Sequence, residues 1–441
     1  MRGLQMRLKA VIPTLILILS TWRPAGASVQ GLIVIATSDF SSGSLASLRP
    51  DEDVASINLI NTHSDNAIRT FGGLVYVINL QGQGGDNILV LDPNDLTVPR
   101  RQFSVGKGSN PYGIAFASPE KAYVPRYDRT SLLVVNPATG DSLRAIDLSR
   151  FADADGLPEM NAALVVGKRV YVTCQRLDRN TAFFPPTDRS IVAVIDAVAD
   201  TVIDVDPDTA GVQGIDLKLK NPDTALLWNG KIYVSCGGFS GFLSDIADGG
   251  IEIVDPVRNR SLGVGIDEGE LGGDVGAIAM TGDSTGFAVV ADRSFNNAVK
   301  RFSFSTRTVS GPLTGHSGGF TPDIQISGGR LYVADQGTFA NPKAAGILVY
   351  DSTTGLKLKG PISTGLPPNG IAIVGPEAGV LASDFDADGD VDFDDFFAFA
   401  AAFGTRRGEF GFDAKFDLAS NGQVDFDDFF AFAAEFGKTS S

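Results

Sequence analysis

One phrase recurs along this chain and limits what it can fold into. It reads LVYVIN at residues 74–79, KAYVPR at 121–126, RVYVTC at 169–174, KIYVSC at 231–236 and RLYVAD at 330–335. FAVVAD at 287–292 is a copy without its Tyr, and LIVIATS, around Ile33 and Ile35, serves as a first copy, making seven. Each is short, β-branched and bounded by turn residues, which predicts a strand. The apolar residues fall on both faces, so the strand is expected to be buried on both sides. A second strand follows each copy: ILVLDP at 88–93, LLVVNP at 132–137, IVAVID at 191–196, IEIVDP at 251–256 and ILVYDS at 347–352. Its closing Asp or Asn, with Pro or a small residue next, is turn chemistry.

A third strand, such as LRAIDL, is polar and suits an outer edge, where charge blocks stray pairing. A fourth is small and apolar: NPYGIAF, NPDTALLW, DVGAIAM, TPDIQI and PPNGIAI. Residues 330–374 therefore hold four strands, one blade-sized unit of a β-propeller. The expected fold is all-β: a β-propeller of seven four-stranded blades, with a small α-helical module of paired calcium loops at the C-terminus. The array begins on a YV strand and ends at residues 370–374. That last strand is expected to pair with residues 32–37 and complete blade one, removing the exposed faces of an open array.

The YV strands, the V-x-D-P strands and the NP-x-GI strands together resemble the YVTN-type β-propeller family over residues 31–375. The resemblance implies the fold. That family spans surface proteins, binding modules and a few enzymes, so it implies no single activity.

Arg2, Arg7 and Lys9, then the apolar residues 10–19 and Ala25, Gly26 and Ala27, read as a secretory signal cleaved after residue 27. The expected divisions are a signal at 1–27, propeller at 28–378, linker at 379–383, calcium module at 384–437 and tail at 438–441. No later stretch is long and apolar enough to span a bilayer. Extracellular, cell-surface or periplasmic location follows. Cys174 and Cys236 hold equivalent places in successive repeats, too far apart for a disulfide, and are expected as buried thiols. The net charge of −16 argues against nucleic acid as a partner.

Repeat spacing stretches in the middle of the chain. The extra residues lie in connections 151–160, 175–189, 237–250 and 265–276, which a four-stranded meander brings to one rim, assigned to blades three to five. They carry Asp153, Asp155, Glu159, Arg176, Asp178, Arg179, Arg189, Asp245 and Asp248, the candidate ligand-binding residues. Catalytic signals are poor. His63 and His316 are the only histidines. Gly315, His316, Ser317, Gly318 and Gly319 match G-x-S-x-G, but in a loop rather than a strand-to-helix elbow.

The strongest chemical signal is C-terminal. VDFDDFFAFAAAFG at 391–404 returns as VDFDDFFAFAAEFG at 424–437, thirteen of fourteen positions alike. Residues 384–437 hold twelve Asp and two Glu against two Arg and one Lys, a net charge of −11. Asp384, Asp386, Asp388, Asp390 and Asp395 occupy positions 1, 3, 5, 7 and 12 of an EF-hand-like loop, with Gly389 at the bend. Asp417, Asn421, Gln423 and Asp428 form a second, where Ala419 removes a ligand and weakens the site. A helix follows each loop, with Phe396, Phe399 and Phe403, and Phe429, Phe432 and Phe436, on one stripe. The module resembles a dockerin, which implies bound calcium and a cohesin partner. Phe393–Asp394 and Phe426–Asp427 depart from the polar residues that dockerins use there. The chain thus reads as a secreted, non-enzymatic binding or scaffold propeller with a calcium-ordered attachment module, its partner a protein or a surface glycan. The alternative is a lactonase- or lyase-like propeller enzyme with its chemistry on the loop-rich rim.

Overall fold

The computed structural model describes residues 31–187, 189–239, 248–374, 383–385, 391–407, 409, 411–419 and 421–438. Residues 31–374 form seven antiparallel sheets in a ring, six of four strands and one of five. Blade four, for example, runs Met160–Val166, Arg169–Cys174, Ser190–Asp196 and Thr201–Ile203 from inner to outer edge, with Ile215–Leu217 as its extra strand. The small apolar strands are innermost and the YV strands second. Blade one is completed by the far end of the chain, as expected. Pro368–Val374 pairs with Leu32–Ser38, setting Ile373 against Ile33, Ala372 against Val34 and Ile371 against Ile35. All of Leu32–Ser38 is buried.

The structure explains the YV phrase. Its Tyr lies buried between blades and needs a partner for its hydroxyl. Tyr123 donates to the carbonyl of Ala197 at 3.0 Å and to Asp200 at 2.7 Å, in the outer turn of the next blade. Tyr171 donates to the Pro256 carbonyl at 2.7 Å and to Asn259 at 2.8 Å, one blade further on. Tyr233 reaches the Asp283 carbonyl at 2.9 Å. The cation two residues before the Tyr adds a second bond. Lys121 donates to the Ala197 carbonyl at 2.7 Å, Arg169 to that of Pro256 at 2.9 Å and Arg330 to that of Pro50 at 2.7 Å. The receiving turns are held by the Asp that ends the next blade's third strand. Asp196 accepts from the amides of Val198 and Ala199, and Asp255 from those of Val257 and Arg258. Cys174 and Cys236 are free, buried thiols, and burial pushes that of Cys174 up to about 12.

In the C-terminal segment, helices Phe393–Ala402 and Phe426–Glu435 each begin with a full capping box, Asp392 with Asp395 and Asp425 with Asp428. The duplicated sequence makes reciprocal contacts. Val391 bonds to Gly437 and Lys438, and Val424 to Gly404 and Thr405. Phe399, Phe416, Val424 and Ala402 form the core. The expected stripe holds for Phe399 and Phe432, whereas Phe403 and Phe436 are about two-fifths exposed. Both are C-cap residues with extended backbone, which lifts the side chain off the helical stripe. Among the described residues no helix is long and apolar enough to cross a membrane.

Ring closure has a measurable consequence. Ile371 is 2% exposed in the closing strand, so Ile371→Ala should cost about 2–5 kcal/mol of propeller stability in denaturant titration. A chain ending at residue 365 should aggregate on a sizing column. A monodisperse, equally stable truncated chain would refute closure as the organising contact.

Candidate functional site

In every blade, the connection from second to third strand emerges at the same end as the connection that enters the inner strand. The long connections of the sequence reading meet there. The rim spans blades three to six: residues 151–160 lead from blade three into blade four, and residues 265–276 lead from blade five into blade six. Much of the latter is ordered as the end of Arg260–Asp267 and the single turn Glu268–Leu271.

Blade four carries the densest chemistry. Asp153, Asp155 and Glu159 bring carboxylate oxygens within 4.8 Å of one another. Main-chain amides fix them. Asp155 accepts from Leu157 at 2.8 Å and from Arg179 at 3.1 Å, Asp153 from the Asp155 amide at 3.0 Å, and Glu159 from Leu177 at 3.2 Å. Glu159 is wholly buried, and its Oε1 has no hydrogen-bond partner; nor has Asp153 Oδ2. Burial and the neighbouring Asp155 push the Glu159 carboxyl up to about 8. Burial also raises Asp153, with Asp155 adding to it.

The backbone at Glu159 is left-handed, with φ of 45°. The matching residues before the inner strands of blades three and five, Asn110 and Asn221, are left-handed too. Asn tolerates that conformation and Glu does so at a cost. Blade four thus places an acid where its neighbours place an amide, a signal legible in the repeat alignment that the loop-length reading did not use.

The remaining sequence candidates disperse. The Arg179 guanidinium pairs with Asp128 at 2.7 Å and lies 5.6 Å over the Tyr127 ring, which stacks on Tyr112. Asp128 sits in the short connection of blade three, and its shortness hid it. Arg176 donates to the Arg189 carbonyl at 3.1 Å. Asp178 caps its own loop through Asn180 and Thr181. Arg189 pairs with Asp216 on the outer edge. Asp248 lies on blade five, where it accepts from the Phe239 amide, while its own amide donates to Glu268. Burial, helped by Asp274 and Asp248, pushes Glu268 up to about 7. Asp245 lies outside the described residues.

Two other features were not found from sequence. Arg69, Asp223 and Asp323 project from residues on or beside the inner strands, and burial holds both acids above the usual carboxylate range while Arg69 pulls them down. A cleft of about 300 Å³ between blades one and two is lined by His63, Asn79 and Gln102, among others. The G-x-S-x-G match is a structural turn: Ser317 Oγ donates to Asp335 at 2.5 Å, and the His316 ring contacts Thr321 at 2.7 Å. The Ser317 hydroxyl is thus taken up by a carboxylate that also accepts the Ser317 and Gly337 amides, and the His316 ring bonds to Thr321 rather than to Ser317.

In the C-terminal loops, Asp386, Asp388 and Asp390 lie outside the described residues. Asp395 is buried and accepts from the amides of Phe385 and Asp392. Asp428 accepts from Ala419 and Asp425, both at 2.7 Å. Asp417 accepts from Asn421 and Gly422, both at 2.9 Å, and the Asn421 side chain accepts from Gln423. The second loop therefore turns about Asp417 and Asp428 despite Ala419.

No family model and no curated protein matches the sequence. Among solved structures the chain is similar to hydrazine synthase of Kuenenia stuttgartiensis, at 14% identity and TM-score 0.51 over 69% of this chain and 88% of that one. It is also similar to AztD of Citrobacter koseri, at 12% identity and TM-score 0.44 over 77% and 96%. At 14% identity the likeness to hydrazine synthase speaks for the fold alone.

The raised carboxyls give stability a sign with pH. Folded Glu159 keeps its proton up to about 8, whereas the unfolded chain loses it near 4.5. The folded state binds more protons between those values, so this contribution falls as pH rises, by at most about 1.4 kcal/mol per pH unit. In metal-free buffer, Glu159→Gln should flatten the fall in melting temperature between about pH 5 and about pH 8. Identical slopes for variant and parent would show that Glu159 ionises normally.

Proposed function

We propose that this chain is an exported, non-enzymatic binding propeller whose loop-rich rim takes a protein or glycan partner. One observation carries the reading. Among the described residues of the propeller, six phenylalanines are exposed: Phe40, Phe183, Phe184, Phe295, Phe320 and Phe339. All six stand in second-to-third-strand connections or in connections entering an inner strand. Exposed aliphatic residues such as Val198, Val257 and Leu356 lie instead in the turns of the opposite end. Large aromatic groups gathered on one face of a rigid scaffold suit an interface, where they supply contact area at low entropic cost.

The same reading gives residues 384–437 the role of a calcium-ordered attachment module. Support comes from the net charge of −11 and from two loops that each gather buried Asp oxygens onto main-chain amides. The aromatic residues Phe393, Phe397, Phe426 and Phe430, each 64–65% exposed, extend beyond the module's core. A cohesin-like partner would have to meet this aromatic surface rather than polar positions.

A lactonase- or lyase-like enzyme is the second reading, favoured by the convergence of Asp153, Asp155 and Glu159 and by the raised Glu159 carboxyl. Geometry tells against it. A general acid must reach substrate, and the free oxygens of Glu159 and Asp153 are closed off from the surface.

Two tests follow. Alanine at Phe183, Phe184 and Phe339 should leave the unfolding free energy within about 0.5 kcal/mol of parent for each substitution yet remove most partner capture from the extracellular fraction. Undiminished capture would defeat the rim as the interface. Chelator should expose residues 384–437 to protease while the propeller survives, and millimolar calcium should restore protection. A tail equally resistant with and without calcium would remove calcium from the account.

A further inference from the structure

The interior of the blade-four rim holds a feature that partner binding does not explain. We propose that Asp153, Asp155 and Glu159 form a resident site for a hard divalent cation of the calcium class, separate from the C-terminal loops. It goes beyond the rim as an interface and stands whether or not the aromatic face binds a partner.

Three observations carry it. The first is spacing. Ligand oxygens lie within 4.8 Å of one another, the span between opposite ligands about a cation bonded at about 2.4 Å. The donor set is all carboxylate, with no imidazole or thiolate in the group, which selects hard cations over zinc or copper.

The second is an unmet need. Glu159 is wholly buried and its Oε1 has no hydrogen-bond partner, and Asp153 Oδ2 shares that state. A buried carboxylate oxygen left unpaired is costly, and three carboxyls this close repel one another once ionised. The neighbouring cations donate no hydrogen bond to the unpartnered oxygens, although the Arg176 Nε is itself buried without a partner. Arg179 gives its guanidinium to Asp128 at 2.7 Å, and Arg176 donates to the Arg189 carbonyl. A divalent ion between the three groups would meet both the empty lone pairs and the repulsion.

The third is preorganisation by main chain. Amides of Asp155, Leu157, Leu177 and Arg179 each hold one of the three carboxylates. They come from both long connections of blade four. The same two segments are joined by the Gln175 amide bonding to the Glu159 carbonyl at 3.1 Å. An ion there would staple the two connections into one rim element. The left-handed backbone that puts Glu159 in place of an Asn is the local cost of presenting that carboxylate.

Terbium, a luminescent stand-in for calcium, distinguishes this site from the tail. Residues 384–437 contain neither Tyr nor Trp, so tail-bound terbium has no tyrosine to sensitise it. Tyr127 lies close enough to Glu159 to feel its charge. The full mature chain, stripped with chelator, should show terbium emission on tyrosine excitation, and calcium should displace it. Glu159→Gln with Asp153→Asn should weaken terbium binding at least ten-fold, while Asp395→Asn with Asp428→Asn should leave the emission intact. Removing like charge should not unfold the rim variant; the single Asp153→Asn change provides a milder version with the same expected direction. Calcium should raise the melting temperature of the parent and of the tail variant but not that of the rim variant. Absent emission, emission indifferent to the rim substitutions, or displacement by zinc but not calcium would each overturn the proposal, and would leave the aromatic interface to be judged by partner capture alone.

Discussion

The ring depends on a bond between neighbours: a buried tyrosine hydroxyl, with a cation two residues before it, reaching the turn of the next blade. Sheet faces alone are a poor device for fixing order, because apolar surfaces slide and tolerate many registers. A hydroxyl buried between sheets must find an acceptor or lose on the order of 1–3 kcal/mol. The turn that offers the carbonyl is rigid because its own Asp caps it, as Asp255 does beneath Pro256. Blades three, four and five therefore each seat the next at a defined offset. Arg330 carries the contact across the chain ends to Pro50, where strand pairing between Leu32–Ser38 and Pro368–Val374 completes the circle.

This arrangement divides labour between the two ends. The latch end needs short turns of set shape where a turn accepts from the preceding blade, as at Ala197, Pro256, Asp283 and Pro50. The other end has no such duty, so its connections are free to lengthen. The exposed aromatic residues and the buried acid cluster both appear there, and in blade four main-chain amides of both long connections hold the acid cluster. Variation is confined to the end where it does not disturb the ring.

The strands, their order and the closure were legible because periodicity, Asp–Pro turns and the strand at which the array starts and stops are local signals that agree with one another. The rim was legible as a place, since loop length shows in the spacing of YV phrases. Its chemistry was less so. Arg189 and Asp178 looked equal to Asp155 in sequence, yet Arg189 turns outward to Asp216 and Asp178 serves its own loop. Asp128 was invisible because its connection is short. The exposed phenylalanines were unreadable for a different reason: a Phe in a loop carries no mark of whether the fold will cover it, and Phe183 and Phe184 differ from buried Phe151 only through tertiary context. The extra turn into blade six was missed because GIDEGELGG reads as loop, while a capping box at Asp267 and Glu270 folds it into a helical turn.

The C-terminal duplication follows a related logic at smaller scale. Asp395 and Asp428 each do two things at once: they close a loop by accepting its amides, and they complete the capping box of the helix that follows. Loop and helix cannot then order independently, because one carboxylate belongs to both. The two copies are tied in turn by Val391 and Val424, each bonded to the backbone that ends the other copy's helix. Any change at the position-12 carboxylate is therefore felt at both ends of its unit, and through Val391 and Val424 in the other. That coupling accounts for thirteen of fourteen residues being shared between the copies. A contact made reciprocally tolerates few changes on one side alone; at the one position that differs, Ala402 packs into the core while the Glu435 carboxylate accepts from the Ser383 amide.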